Sequence, residues 1–233
     1  MHRSKLYKAQ VATVDQSVRY ELADAVAKIK AMPHTKFDET IEISLKLGID
    51  PRKSDQTVRG AVALPFGTGK SIRMCVVADG AQAADAKAAG ADVVGYDDIV
   101  AKIKDGWLDF DILIATGEAM KMVRPLGRQL GPRGLMPNPK TGTVTEQVGQ
   151  AVREAKAGRA EFRADRGACV HVPIGKVSFP VESLCGNYDV VMEAILKAKP
   201  ATAKGAYIVS CTVSSTMSPG VKVIVKDTTA RQK

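Results

Sequence analysis

IRMCVVADGAQAADAKAAGADVVGYDDIVAKIKDGWLDFDILIA, residues 72–115, alternates short apolar runs with helical stretches, and its reading decides the fold of the middle of the chain. The runs Ile72 to Ala78, Ala91 to Gly95 and Phe110 to Ala115 read as strands. Between them lie an alanine-rich helix from about Ala81 to Ala89, stopped at Gly90, and a helix from Asp97 to Lys104, stopped at Gly106. A β-α-β-α-β order implies a parallel sheet. A last helix, with Thr145 as its expected N-cap, carries Val148, Ala151, Val152 and Ala155 on one face and ends at Gly158.

The flanks read differently. Leu22, Ala25, Val26 and Ile29 form a helical stripe, after which Phe37, Ile41, Ile43, Leu45 and Leu47 alternate with Thr40, Glu42, Ser44 and Lys46. Beyond the middle block come alternating runs around Phe162 to Ala164 and Cys169 to Ile174. A helix on Leu184, Tyr188, Val191 and Ile195 follows, then the runs Tyr207 to Val213 and Val221 to Val225. Neither flank has enough strands to close a core alone. The expected fold is therefore α/β and α+β, with residues 1–66 and 160–233 forming one discontinuous α+β domain and residues 67–159 an inserted α/β domain. Both crossings contain glycine, so a hinge is expected there.

A net charge of +9, from 34 basic and 25 acidic residues, fits an anionic partner, and 45 % hydrophobic residues suffice for real cores. Only 5 % are aromatic, which argues against a surface built mainly from stacked bases. Residues 67–159 hold 13 basic against 11 acidic side chains, whereas the flanks hold 21 against 14. The excess places the main polyanion-binding surface in the flanks.

The basic start is followed by no apolar core of signal-peptide length, and no run approaches a membrane span, so a cytoplasmic protein with no membrane partner is expected. Cys75, Cys169, Cys185 and Cys211 are scattered, as reduced buried thiols are, and with His2, His34 and His171 equally scattered no metal or other cofactor is expected.

No catalytic residues are assigned. The phrase GTGKS, Gly67 to Ser71, ends like a phosphate loop, which makes a P-loop-like nucleotide hydrolase using Lys70 the alternative reading. Leu64 stands where the loop's first glycine belongs, however, and a strand-like run follows where a helix is required. No G-x-G-x-x-G follows the first strand and no G-x-S-x-G occurs.

GPRGLMPNP, Gly131 to Pro139, packs three prolines and two glycines into nine residues and must be a rigid loop, set among Arg124, Arg128, Arg133 and Lys140. With the preceding MKMVRPLGRQL it resembles the signature of the bacterial large ribosomal subunit protein L-one family, the side-stalk protein. LGIDPRKSDQTVRG from Leu47, PFGTGK, KAG from Lys156, HVPIGK from His171, KAKP from Lys197 and SSTM from Ser214 extend the resemblance, in order, over nearly the whole chain.

The resemblance implies an RNA-binding domain made from both termini and an inserted Rossmann-like domain. It implies large-subunit rRNA as the main partner, release of deacylated tRNA at the exit site, other ribosomal components as neighbours, an operator on the protein's own mRNA as a target of repression, and a monomer when free. The implied RNA contacts are Lys36, Phe37, Thr40, Glu42, Arg163, Arg166, Gly167, Cys169, His171, Ser214, Ser215, Thr216 and Met217. Their chemistry suits folded RNA: small hydroxyls for riboses and phosphates, Phe37 and Met217 for apolar contact, cations for phosphates, and Glu42 to accept from a base amine or to hold a nearby lysine. Arg124, Arg128, Arg133 and Lys140 would face tRNA or another neighbour. Two departures from the family pattern, Ala168-Cys169 before His171 and Ser218-Pro219 after Met217, bear on the paths of two loops.

Overall fold

The computed structural model describes residues 3–225. The chain divides into two compact units, one made of the residues up to Gly69 with those from Ala160 on, the other Lys70–Arg159. The first stretch supplies α1 (Lys5–Ala12), α2 (Leu22–Ala31), β1 (Thr40–Leu47) and β2 (Arg59–Ala63). The second unit contributes β3 (Met74–Val77), α3 (Gly80–Ala88), β4 (Val93–Gly95), α4 (Asp97–Lys104), β5 (Ile112–Ala115), the single turns α5 (Met120–Val123) and α6 (Gly127–Leu130), and α7 (Val148–Gly158). The chain then returns as β6 (Arg159–Arg163), β7 (Cys169–Lys176), α8 (Val181–Lys197), β8 (Ile208–Ser215) and β9 (Val221–Val223).

In the first unit β1 lies inside a four-stranded antiparallel sheet of order β7-β1-β8-β9, and β2 pairs with β6. Strict alternation in TIEISLKL turns Ile41, Ile43, Leu45 and Leu47 to one face, where none is more than 1 % exposed. Ala25, Val26 and Ile29 of α2 and Leu184, Tyr188, Val191 and Ile195 of α8 join them in one core. Because side chains alternate with period two, a one-residue slip would put Glu42, Ser44 and Lys46 into that core, so the register is fixed. Helix α1 had no signal as an apolar stripe: only Gln10 is buried in it, and its start is set by Ser4, whose hydroxyl accepts from the Tyr7 N–H at 3.2 Å.

The second unit is a three-stranded parallel sheet of order β4-β3-β5 with both faces covered. Met74 and Val76 pack with residues of α3 and α7, while Cys75 and Val77 pack with α4 and the 119–130 segment. Thr145 is not the N-cap of α7 as the sequence suggests. Gln147 is, and Thr145 Oγ1 accepts from the Gln147 N–H at 3.1 Å, bracing the turn from two residues earlier. The phosphate-loop alternative fails on the same ground that weakened it in the sequence: Gly67 to Ser71 leads into β3 rather than a helix, and Lys70 Nζ lies 3.1 Å from Asp111 Oδ1.

Cys75 and Cys211 are buried, and burial pushes their thiols up to about 12 and about 11. Cys169 and Cys185 are only half-buried, contrary to the expectation of four buried thiols, and all four are free. Among the described residues no helix is long and apolar enough to cross a membrane, and no group of three or more His, Cys, Asp or Glu side chains could hold a metal ion. His2 lies outside the described residues.

The first crossing leaves the terminal unit after Gly69, three residues later than the sequence boundary, because buried Asn187 of α8 ties this segment down. Its Nδ2 donates to the carbonyls of Ile174 (2.7 Å) and Gly67 (3.0 Å), and its Oδ1 accepts from the Phe66 N–H at 3.2 Å. Asn187→Leu would leave these three backbone groups without their partner and is expected to cost about 2–4 kcal/mol in urea unfolding monitored by circular dichroism. A change under about 0.5 kcal/mol would show that the segment is held by other means.

Candidate nucleic-acid interface

The sheet face opposite the helices is polar across its width. Thr40, Glu42, Ser44 and Lys46 point outward along β1, and the register sets Glu42 between Pro173 and Ser214, Ser44 between His171 and Thr212, and Lys46 between Cys169 and Ser210. Lys222 of β9 extends the middle row beside Thr212. Strand rise makes this field about 20 Å long. Of the residues expected from the sequence, Thr40, Glu42, Cys169, His171 and Ser214 meet here. Ser44, Lys46, Ser210, Thr212 and Lys222 were missed, although the alternation of β1 already placed Ser44 and Lys46 on the same face. His171 Nδ1 lies 3.0 Å from Ser44 Oγ, which orients the ring. Glu42 forms no ion pair among the described residues, so the expected hold on a nearby lysine is not seen.

At the N-terminal end of β1 two loops are held by one buried carboxylate. Glu39 is fully buried; Oε1 accepts from the Thr35 N–H and hydroxyl, both at 2.9 Å, and Oε2 from the Ser215 hydroxyl at 2.5 Å and the Met217 N–H at 3.2 Å. Burial pushes its pKa up, but these four hydrogen bonds outweigh it and bring the carboxyl down to about 2. Ser215 is thus corrected: its side chain is buried and spent on Glu39, not offered to RNA. Thr216 is exposed, but its hydroxyl accepts from the Thr40 N–H at 3.0 Å, so it fastens the turn to β1. What the clamp presents is apolar: Phe37 and Met217 are 54 % and 50 % exposed, with Lys36 exposed beside them. The turn needs no left-handed residue. Ser218 N–H donates to the Ser215 carbonyl, Ser218 Oγ accepts from the Ser215 N–H at 2.8 Å, and Pro219 is buried behind.

At the other end of β1 the β6–β7 turn is built on Asp165. Its Oδ1 accepts from the N–H groups of Cys169 (2.7 Å) and Gly167 (2.8 Å), which hold its pKa below the usual range. Lys46 Nζ donates to the Gly167 carbonyl. Arg163 and Arg166 are exposed, and Ala168 adopts φ 58°, a left-handed conformation that favours glycine.

In the second unit Arg124, Arg128 and Arg133 are exposed and make no ion pair among the described residues. Lys140 stands in the turn Pro139–Thr141. The proline loop is knotted from within: Leu135 N–H donates to the Leu130 carbonyl at 3.0 Å, Gly134 takes φ 72°, and Asn138 N–H donates to the buried Thr143 hydroxyl at 2.8 Å.

Two outcomes follow from the loops. Ala168→Gly relieves about 1–2 kcal/mol of left-handed strain against about 0.5–1 kcal/mol of added chain entropy, so stability is expected to rise by about 0.5–1 kcal/mol; a drop in melting temperature would refute the strain. The low pKa of Glu39 stabilises the fold fully above its unfolded value near 4.5, and this contribution is lost as pH falls through about 2. The stability gap between wild type and Glu39→Gln should therefore be constant above about pH 5.5 and shrink below 4.5. Urea unfolding at pH 7, 4 and 2.5 checks it, and a gap that widens on acidification contradicts the clamp.

A family model described as "Ribosomal protein L1p/L10e family" matches residues 27–219, which takes in β1, the whole second unit, the β6–β7 turn and the Ser214 to Met217 turn. The match covers most of the chain and runs through each part of the polar face except β9. This protein belongs to the Ribosomal protein L1p/L10e family, a family of structural rRNA-binding components of the ribosome.

Proposed function

We propose that the terminal unit is the RNA-binding domain and that it anchors the protein on folded large-subunit rRNA at the mobile side stalk. The observation that carries this reading is the polar face of the β7-β1-β8-β9 sheet on the side away from the helices, bounded at one end by Phe37 and Met217 and at the other by Arg163 and Arg166. Small hydroxyls and backbone groups suit the shallow groove of an RNA helix, where 2′-hydroxyls and phosphates are displayed, and the exposed Phe37 and Met217 supply the apolar contact that a ribose or an unstacked base needs. Glu42 reads a base amine or a 2′-hydroxyl, Thr40 and Ser214 flank it, and His171, Lys46 and Lys36 meet phosphates.

The Rossmann-like inserted unit carries Arg124, Arg128, Arg133 and Lys140 on and around a stiff loop. Their role in this reading is to meet tRNA leaving the exit site, or another ribosomal neighbour, rather than to anchor rRNA. Binding of a similar RNA fold on the protein's own messenger would use the same sheet face and repress translation. The free protein is read as a monomer in the cytoplasm.

Titration of the protein with stalk RNA is expected to give tight binding with a log–log salt slope of about −4 to −6, from roughly five to eight phosphate contacts. Phe37→Ala with Met217→Ala should weaken binding by about 2–4 kcal/mol, whereas neutralising Arg124, Arg128 and Arg133 together should change it by less than about 1 kcal/mol. If the triple variant loses as much as the double one, the inserted unit is a primary rRNA anchor and the division of roles is wrong.

A further inference from the structure

Behind the Asp165 turn, off the sheet face, lies a recess of about 430 Å³ lined by Pro51, Thr57, Arg163, Ala164, Asp165 and Arg166. Its volume falls within the range of small-molecule sites, wide enough for one nucleotide and too small for a helix. Both walls are rigid and joined. Ala164 N–H donates to the Val58 carbonyl at 2.9 Å, linking the wall that carries Thr57 to the Asp165 turn. The first wall is braced by Asp50, whose Oδ1 accepts from the Arg52 N–H at 3.1 Å, and by buried Gln56, whose Oε1 accepts from the Asp50 N–H at 2.7 Å.

The lining is chemically specific. The Pro51 ring and the Ala164 methyl form a half-buried apolar patch, and the exposed guanidiniums of Arg163 and Arg166 make no ion pair among the described residues. Asp165 spends Oδ1 on two backbone N–H groups, and no described donor takes its Oδ2. A ligand that satisfies this set is anionic, has a flat apolar body, and carries an N–H donor on its edge. Splayed, unstacked nucleotides are how proteins read RNA sequence, through stacking on side chains or guanidinium planes and hydrogen bonds to base edges.

We propose that this recess receives a single unpaired nucleotide of the bound RNA, its base against Pro51 and Ala164, its exocyclic amine donating to Asp165 Oδ2 and its phosphate paired with Arg163 and Arg166. The proposal rests on the RNA-binding reading and adds to it a base-specific contact outside the sheet face. Because the acceptor is a carboxylate, bases with an exocyclic amine (cytosine, adenine and guanine) are favoured over uracil, whose only edge donor is its ring N3–H.

The test follows amide signals of Thr57, Ala164, Asp165 and Arg166 in the full chain by NMR, on adding cytidine 5′-monophosphate, uridine 5′-monophosphate or inorganic phosphate. Cytidine monophosphate is expected to shift them with millimolar affinity, at least threefold tighter than uridine monophosphate, and phosphate alone to be weaker still. Ala164→Phe, which fills the recess, should abolish the response and weaken stalk-RNA binding about tenfold. Arg166→Ala, at an exposed position that leaves the fold intact, should weaken both. Equal responses to the three probes, or none, overturn the proposal while tight stalk-RNA binding by wild type keeps the RNA reading alive. Loss of the cytidine response in Ala164→Phe with unchanged stalk-RNA affinity would mark a free-nucleotide site instead and also overturn it. If wild type fails to bind stalk RNA, the RNA reading falls first.

Discussion

Strand β1 is the constraint on which the terminal unit depends. It comes from the first stretch of the chain, yet both of its neighbours, β7 and β8, come from the last, so beyond the local β8–β9 hairpin the sheet does not close until residues about 130 and 170 positions apart have met. Closing so long a loop costs entropy, and the return is concentrated on one face: four aliphatic side chains of β1, each buried to 1 % exposure or less, contribute about 1.5–3 kcal/mol apiece before the entropy of ordering is set against them. The same alternation that buries Ile41, Ile43, Leu45 and Leu47 forces Thr40, Glu42, Ser44 and Lys46 outward. Core and binding face are two consequences of one register.

The ends of that face are held by carboxylates rather than by apolar packing. Glu39 gathers donors from Thr35, Ser215 and Met217, and Asp165 gathers them from Gly167 and Cys169, so each loop is organised around an acceptor whose protonation would release it. A buried charge is costly unless its lone pairs are filled, and Glu39 is tolerated because four donors converge on it. The consequence for function is positional. Phe37 and Met217 remain exposed because the polar groups around them are already satisfied inward, leaving the apolar side chains as what the loops present.

The second unit solves a different problem. Its parallel sheet is covered on both faces, with β3 sending Met74 and Val76 to one helical layer and Cys75 and Val77 to the other. This leaves no open sheet face, and the exposed Arg124, Arg128 and Arg133 lie on and before the proline loop, next to which Thr141 and Thr143 are buried. A rigid, basic loop on a closed core is suited to a contact made at its surface, unlike the open face of the terminal unit.

The amino-acid sequence determined the local elements wherever a period was strong. The 72–115 strands and helices and the alternation of β1 are legible, because a strand with one buried face must repeat every two residues and a helix stopped by Gly90 or Gly106 needs the positive φ those glycines adopt. Short-range polar structure was not legible. Gln147 replaces Thr145 as the cap of α7 through a contact only two residues long, and Cys169 is half-exposed, whereas Ser215 turned inward to Glu39 depends on which donor sits beside which acceptor once distant segments pack. A hydroxyl in a serine-rich turn looks the same in sequence whether it faces RNA or a buried carboxylate. Tertiary structure alone decided this, because a hydrogen bond is fixed by approach within about 3 Å, and that approach is made by residues more than 170 positions apart.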